Sequence, residues 1–296
     1  MALGISAVQT DQYGREIVAH GAPGFPIGAY QADFQFDPVP WHWHEEFETV
    51  IITEGISHVH VENAIVPLKA GDMMFINSGI LHCLNNGIPE QACGRSLVFH
   101  PRLLGAVDSI FWKDYATPIL QDKLFRFQHF SAEIPWQKVF IDHARAAWVS
   151  VACEPADYEN EARYHMTKAM YLLKENHRVS DESISTHESI AAERTKLMLQ
   201  FIQDHYTEEL TLEQIAASAA ASKSMCLRYF RQTIGTTPIR YLIQYRIEKA
   251  AEMLLSTGKK AGEIALACGF SDMSYFIRRF REIKGCTPLE DRKENS

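Results

Sequence analysis

Two copies of one pattern stand fifty residues apart: Arg228-Tyr-Phe-Arg-Gln-Thr-Ile-Gly-Thr-Thr-Pro238 and Arg278-Arg-Phe-Arg-Glu-Ile-Lys-Gly-Cys-Thr-Pro288. Upstream of each lies an Ile-Ala pair, Ile215-Ala216 and Ile264-Ala265, then a turn and a serine, Ser222 and Ser271. Glycine accepts the left-handed conformation that ends a helix, and proline fits the first turn of the next one. Each copy therefore reads as helix, tight turn, helix, and the C-terminal part of the chain is constrained to a helix-turn-helix plan written twice.

Helical periodicity sorts each second helix into two faces. Cys226, Tyr229, Phe230 and Thr233 share an inward stripe, as do Phe276, Phe280 and Ile283. Ser224, Leu227, Arg228 and Arg231 point the other way, matched at the same offsets by Ser274, Ile277, Arg278 and Arg281; Lys223, Asp272 and Met273 at the helix starts complete the candidate DNA-reading set. One Arg-bearing face is usually only a solvated face. Two in register are what a pair of linked recognition helices needs to enter successive major grooves, where guanidinium groups read guanine edges or hold phosphates. The net charge of −8 argues against a nucleic-acid partner until it is divided. Residues 191–296 hold 16 Lys+Arg against 13 Asp+Glu, so this part is +3 and the remainder −11. The local field is what a phosphate meets.

A chain of 296 residues is long for one domain, and 46% hydrophobic with 22% charged residues is an ordinary globular balance. The expected fold class is α+β in two domains. From about residue 17 to 99 short stretches alternate with period two, as in Glu48–Thr53, His58–Val61 and Met73–Ile76, separated by Glu54-Gly55, Glu62-Asn63 and Lys69–Asp72. Such strands predict a small antiparallel barrel or jelly roll. Two helices are expected at 136–152, with Val139, His143, Ala146, Ala147 and Val151 on one stripe, and at 158–176, with Tyr164, Met166, Met170 and Leu173. The expected division is a barrel over 1–130, a helical region over 131–176, a polar Ser-rich linker over 177–191, and the double helix-turn-helix over 192–296. No apolar run of membrane-spanning length and no leader-like N-terminus occurs, so a cytosolic protein without a membrane partner is expected. None of the six cysteines forms a Cys-x-x-Cys pair, which predicts reduced and mostly buried thiols.

A second constellation lies in the barrel region: His42-x-His44-x-x-x-Glu48, six residues and Gly55; then Gly71, five residues, Asn77-Ser-Gly79, two residues, His82, three residues and Asn86. On an extended strand His42 and His44 point to one face, Glu48 can join them, and His82 can arrive from a neighbouring strand. Three nitrogens and one carboxylate oxygen suit Zn²⁺, Fe²⁺, Mn²⁺ or Ni²⁺. The other reading has the same residues hydrogen-bonding a polar ligand directly, with Tyr30 and Trp41 as further ligand-binding candidates able to stack on a sugar ring, alongside Phe34 and Trp43. His58 and His60 fall outside the spacing and are read as surface or supporting residues.

Residues 194–292 resemble the DNA-binding domain of the AraC family through Leu212-x-x-Ile-Ala216, Gly269-Phe-Ser-Asp272, Ser274-Tyr-Phe276, the Arg-x-Phe elements and Gly285-x-Thr-Pro288. The resemblance implies seven helices in two motifs joined by a central helix from Pro238 to about Ser256. Ala220-Ala221 replaces the family's usual Gly-Leu turn, Cys226 takes a Leu-like position, and Leu289–Arg292 lacks the usual Tyr, so a more loosely packed first motif is implied. The histidine spacing is similar to the two signature motifs of cupin barrels over about residues 25–100, with Phe36 in place of the first Gly and Asn77 in place of the Pro, neither a ligand position. His20–Pro26 together with Trp41–Phe47 further resembles cupin-bearing AraC-type regulators that sense sugars or related metabolites. A homodimer paired through 136–176, double-stranded DNA as partner, and RNA polymerase as a further partner of an activator follow from the resemblance. The rival readings are a metal-dependent cupin enzyme with a helical appendage and a metal-sensing regulator; the repeated Arg-bearing helices argue against the enzyme.

Overall fold

The computed structural model describes residues 4–5, 16, 18–36, 39–85, 91–122, 124–177 and 186–294. Asn86 and most of the expected linker lie outside these. The chain divides between Thr186 and His187 into two compact units.

The first unit contains β1 (Gly4–Ile5), β2 (Ile27–Asp33), β3 (Phe47–Val61), β4 (Ala64–Lys69), β5 (Met73–Ile76), β6 (His82–Leu84), β7 (Ala92–Phe99) and β8 (Phe127–Phe130). One layer runs β1-β2-β7-β3-β5-β8, and β4 and β6 pair with the far half of β3. The sequence separates Glu48–Thr53 from His58–Val61 by a turn at Glu54-Gly55. The structure corrects this: both belong to the single 15-residue strand β3, and the register against β7 slips between Ile52 and Glu54. A bulge of this kind bends a strand and reverses which face its later side chains meet. Val50 and Ile52 before it and Val59 and Val61 after it therefore all reach one interior cluster, with Phe34, Met74, Ile76 and Leu84. The expected turn at Glu62-Asn63 is present, with Glu62 left-handed between Val61 and Ala64.

On the opposite face of the sheet Phe47, Ile51, Met73, Phe75, Leu97 and Phe99 join a core completed by α2 (Pro135–Cys153) and α3 (Tyr158–Asn176); α1 (Thr117–Gln121) precedes β8. Trp148 of α2 donates its indole N–H to the Tyr30 carbonyl of β2 at 3.0 Å. Both helices stand where periodicity places them, but their inward stripes differ from the expected ones. Phe140, Ile141, Ala144, Ala147, Trp148 and Val151 are buried on α2, whereas Val139 is exposed; on α3 Met166, Met170 and Leu173 are buried and Tyr164 is exposed. All six thiols are free; Cys83, Cys226 and Cys268 are buried and Cys153 is exposed.

The second unit comprises α4 (Thr186–His205), α5 (Leu212–Ser218), α6 (Lys223–Thr233), α7 (Pro238–Ser256), α8 (Ala261–Ala267), α9 (Met273–Lys284) and α10 (Pro288–Glu294). Helix α4 already runs through 186–191, which corrects the end of the expected linker. The starts of α5, α6, α7 and α9 are each closed by an N-cap side chain accepting from the exposed backbone N–H groups. Thr211 and Gln214 form a capping box, Ser222 accepts from Met225 N, Thr237 from Arg240 N and Asp272 from Tyr275 N. Helix α7 packs against α5, α6, α8, α9 and α10, so both motifs share it. Arg246 of α7 donates to the carbonyls of Tyr206 and Glu208, both at 2.6 Å, and Arg292 of α10 to those of Leu254, Thr257 and Lys259.

The turns inside the two motifs close alike: Ala221 N donates to Ala216 O and Phe270 N to Ala265 O, each at 2.9 Å. The left-handed residue is Ala220 (φ 48°) in the first and Gly269 (φ 80°) in the second. A Cβ there costs about 1–2 kcal/mol, of which about 0.5–1 kcal/mol is offset by the smaller backbone freedom lost on folding. Ala220→Gly is expected to stabilise the second unit by about 0.5–1 kcal/mol, read as a higher urea midpoint at unchanged slope. Gly269→Ala is expected to lose stability, because its Cβ would also lie 2.6 Å from the Tyr206 carbonyl oxygen. A lower midpoint for Ala220→Gly counts against this account of the turn.

Candidate metal centre and nucleic-acid interface

Inside the barrel, His42 and His82 face each other across a two-residue bridge closed by His42 N to His82 O and His82 N to His42 O, each 3.0 Å. This places the two rings 4.2 Å apart. His44 follows two residues later on the same face, and Glu48 enters from the start of β3 as one of its inward positions. His42, His44, Glu48 and His82 are all buried, and one ligand atom from each lies within 4.8 Å of the others. The structure thus brings together all four residues singled out by spacing.

Hydrogen-bond direction defines the chemistry. Nδ1 of His42 lies 2.8 Å from Pro40 O, Nδ1 of His44 3.2 Å from Glu46 O, and Nδ1 of His82 2.8 Å from Ile80 O. A carbonyl only accepts, so each Nδ1 carries a proton and a neutral ring keeps its lone pair on Nε2. Those Nε2 atoms converge: Glu48 Oε2 is 3.2 Å from that of His44 and 2.9 Å from that of His82. Without a metal, protons must fill the gaps. Burial works against charge on His82, but the hydrogen bond to Glu48 and its charge outweigh it and raise the imidazole above its usual value. Burial likewise opposes the Glu48 charge, yet the bonds from His44 and His82 hold its carboxyl well below the usual range. Burial, and then the charge of His82, push His42 down to about 3. A divalent ion would replace the proton between these groups. Three imidazoles tethered at Nδ1 by carbonyls and one carboxylate fit a transition metal in donor type and supporting bonds.

A cavity of about 50 Å³ opens beside the cluster, lined by Glu16, His20, Tyr30, Phe34, His42 and Glu48 among others. Tyr30 is among the lining residues, its hydroxyl 2.7 Å from His20 Nδ1. Burial and the charges of Glu16 and Glu48 raise its phenol, which stays protonated. Trp41 does not line this cavity: it is buried elsewhere, edge-on to His60 at 6.0 Å. Trp43 is absent from the lining too, whereas Phe34 contributes to it. His58 is exposed and His60 half-buried. Glu16 was not found by sequence reasoning. Its Oε2 is 3.2 Å from His20 Nε2 and 3.8 Å from His42 Nε2, and no alternation or spacing around it distinguishes it from any other acidic residue.

Asn77, where the cupin signature has proline, donates through Nδ2 to Ile119 O at 2.9 Å and Phe125 O at 2.7 Å, while its Oδ1 accepts from Ser78 N. Phe36, in place of the signature glycine, is 62% exposed.

In the second unit Cys226, Tyr229, Phe230 and Thr233 of α6 and Phe276 and Phe280 of α9 are buried, and Ile283 is half-buried. Ser224, Arg228 and Arg231 are exposed with Leu227 half-buried; Ser274, Ile277, Arg278 and Arg281 are all exposed. Arg228 lies 5.4 Å over Tyr229 and Arg278 5.4 Å over Tyr275. At the helix starts Lys223 pairs with Glu213, Asp272 is committed to its cap and Met273 is exposed.

A model of the helix-turn-helix domain matches residues 215–294, and one of the cupin domain matches residues 34–93. The chain is 28% identical over 291 residues to the uncharacterized HTH-type transcriptional regulator YdeC of Bacillus subtilis (strain 168), covering 97% of this chain and 98% of that one. It is 26% identical over 278 residues to the HTH-type transcriptional activator RhaR of Mannheimia succiniciproducens, covering 90% and 91%. The chain belongs to the AraC family of helix-turn-helix transcription regulators with an N-terminal cupin domain. It is an AraC-type DNA-binding regulator, and the relatives that match it end to end are regulators rather than enzymes, which sets aside the cupin-enzyme reading. Among the described residues no helix is long and apolar enough to cross a membrane.

Asn77→Ala would strip a partner from the carbonyls of Ile119 in α1 and of Phe125 before β8. An unmet buried group costs about 1–3 kcal/mol, so the variant is expected to lose about 2–4 kcal/mol of first-unit stability in urea unfolding. A loss below about 1 kcal/mol would show that the two bonds do not tie Ile119 and Phe125 to the end of β5.

Proposed function

We infer that this regulator is ligand-responsive: its barrel holds one divalent transition metal on His42, His44, Glu48 and His82, and a small polar metabolite, a sugar or a related compound, binds beside it against Tyr30 and His20. The observation that carries this reading is the set of three Nδ1-to-carbonyl bonds, which leaves three Nε2 atoms and one carboxylate aimed at a common point. Residues 1–130 act as the sensing barrel, 131–176 as the pairing region of a homodimer, and 192–296 as the DNA-binding domain. Val139, Val149, Tyr164 and Tyr171, exposed on α2 and α3, support the pairing surface. The effector acts by its differential affinity for two arrangements of the dimer. Activation, with RNA polymerase as partner, is supported by full-length relatives named as transcriptional activators. The cytoplasm is the place for such a protein.

Arg228, Arg231, Arg278 and Arg281, with Ser224, Leu227, Ser274 and Ile277, form the groove-facing set; Met273 flanks it, and Lys223 and Asp272 serve it through their pair and cap. A second reading, the metal ion itself as effector, is favoured by the small cavity of about 50 Å³.

Metal analysis of purified protein is expected to find about one transition-metal ion per chain, with donors at about 2.0–2.2 Å, and His44→Ala is expected to abolish it while leaving DNA affinity intact. Metal-free protein that also takes up no zinc, iron, nickel or manganese on titration would overturn the metal centre. If metal alone changes DNA affinity and a sugar panel adds nothing, the second reading replaces the first.

Arg228→Ala and Arg278→Ala are each expected to weaken DNA binding by about 1–3 kcal/mol where the residue reads a base, or to reduce the salt slope by about 1 where it holds a phosphate. Fluorescence anisotropy on duplex DNA across a salt series separates the two. Unchanged affinity and slope in both variants would sink the assignment of the reading face.

A further inference from the structure

The outer face of the sheet carries a second cavity, of about 260 Å³, on the other side of β3 and β7 from the histidine cluster. Strand alternation builds its floor: Thr49 and Ile51 of β3, Met73 of β5 and Leu97 of β7 point outward, while α2 supplies Arg145 and Trp148 as the wall. Arg95 of β7 reaches into it with its guanidinium 4.2 Å over the Trp148 ring, steadied by a 3.3 Å bond from Nε to Gln31 Oε1.

Two guanidinium groups thus line one apolar-floored cavity, and neither has a carboxylate partner among the described residues. Asp142, three residues before Arg145 on α2, is taken by Lys138 at 2.6 Å. Thr49, only 2% exposed, contributes to the same lining. Guanidinium is weakly hydrated, stacks on aromatic faces and matches a carboxylate in geometry. A half-buried one already stacked on tryptophan, with a second cation facing the same space, is a prepared carboxylate site.

We propose that this groove is a second ligand site, which takes a small organic acid. Its carboxylate sits between Arg95 and Arg145, within reach of Thr49, and its apolar body lies on Trp148, Leu97 and Met73. The apolar floor selects against inorganic phosphate, which would leave those surfaces unfilled. The site is independent of the metal centre, yet β7 walls both cavities: Gly94, Ser96 and Val98 line the inner one, Leu97 the outer one, and Arg95 both. An acid seated outside therefore bears on the strand that shapes the sensing cavity.

Calorimetric titration of the full chain at low ionic strength tests this with benzoate, isovalerate, benzamide and inorganic phosphate. At least one of the two carboxylates is expected to bind with one site per chain, with the neutral amide and phosphate weaker by about tenfold or more. Arg145→Gln, at an exposed position where folding is not at stake, and Arg95→Gln are each expected to weaken that carboxylate by about tenfold or more. His44→Ala is expected to leave it unchanged, so that failure of the metal centre and failure of this site are told apart. The proposal is overturned if neither carboxylate binds at millimolar concentration, if benzamide or phosphate binds as tightly, if Arg145→Gln binds like the parent, or if His44→Ala removes carboxylate binding.

Discussion

The first unit depends on one irregularity in one strand. β3 belongs to both layers of the barrel, pairing with β5 and β7 in its first half and with β4 and β6 in its second. Without the register slip between Ile52 and Glu54, side-chain parity would send Val59 and Val61 outward when Val50 and Ile52 go inward. Gly55 makes the slip sterically feasible: its φ is 75°, and a Cβ there would lie 2.2 Å from the Gln91 carbonyl oxygen. The same parity, counted back from the slip, directs Glu48 toward the histidines and Thr49 toward α2. Alternation along the first half of β3 thus puts two chemically distinct cavities on the two faces of one strand.

The histidine cluster rests on backbone as much as on side chains. His42 and His82 are adjacent because their own peptide groups bond to each other, and all three rings are aimed by carbonyls two residues away, Pro40, Glu46 and Ile80. Such local bonds are made before any ligand arrives, so the rings need little reordering when one binds. His82 is the long-range member, and the charge of Glu48 is what favours the proton on it. A metal ion bound there would compete with the proton for one position.

Much of this was legible because periodicity and repetition survive without coordinates. The fifty-residue repeat located α6 and α9 and separated their buried faces from their exposed ones, since a helix of known ends has only one way to distribute Phe, Tyr and Arg. The His42, His44, Glu48, His82 spacing located the cluster for the same reason in strands. What failed had no local signature. Glu54-Gly55 has the composition of a turn, and only pairing with Cys93 and Ala92 makes it a bulge. Val139 and Tyr164 are apolar at helical spacing yet exposed, because alternative stripes on α2 and α3 were compatible with the same period. Trp41 is aromatic and next to the motif, yet its position before the His42 bridge turns it toward His60 instead. Glu16 and the Arg95–Arg145 groove depend on tertiary contacts alone.

The two helix-turn-helix copies differ in a way that their common backbone explains. Both turns require a left-handed residue, and sterics alone penalise alanine there without forbidding it. Ala220 is exposed, so its methyl group faces solvent and strain is the whole of its cost. At Gly269 the neighbouring space is filled as well. Arg246, bonded to the Tyr206 and Glu208 carbonyls, places Nη2 2.9 Å from where a Cβ would stand, with the Tyr206 and Thr207 oxygens at 2.6 and 2.9 Å. The second turn is thus packed under the segment that leads into the first motif, and Arg246 of the shared helix α7 touches both. A residue that satisfies the dihedral but not the volume would displace Arg246 and with it the anchor between α4 and α5. The first turn tolerates an imperfect residue because nothing is packed on it; the second cannot, because the connection between the motifs passes through the space a side chain would occupy.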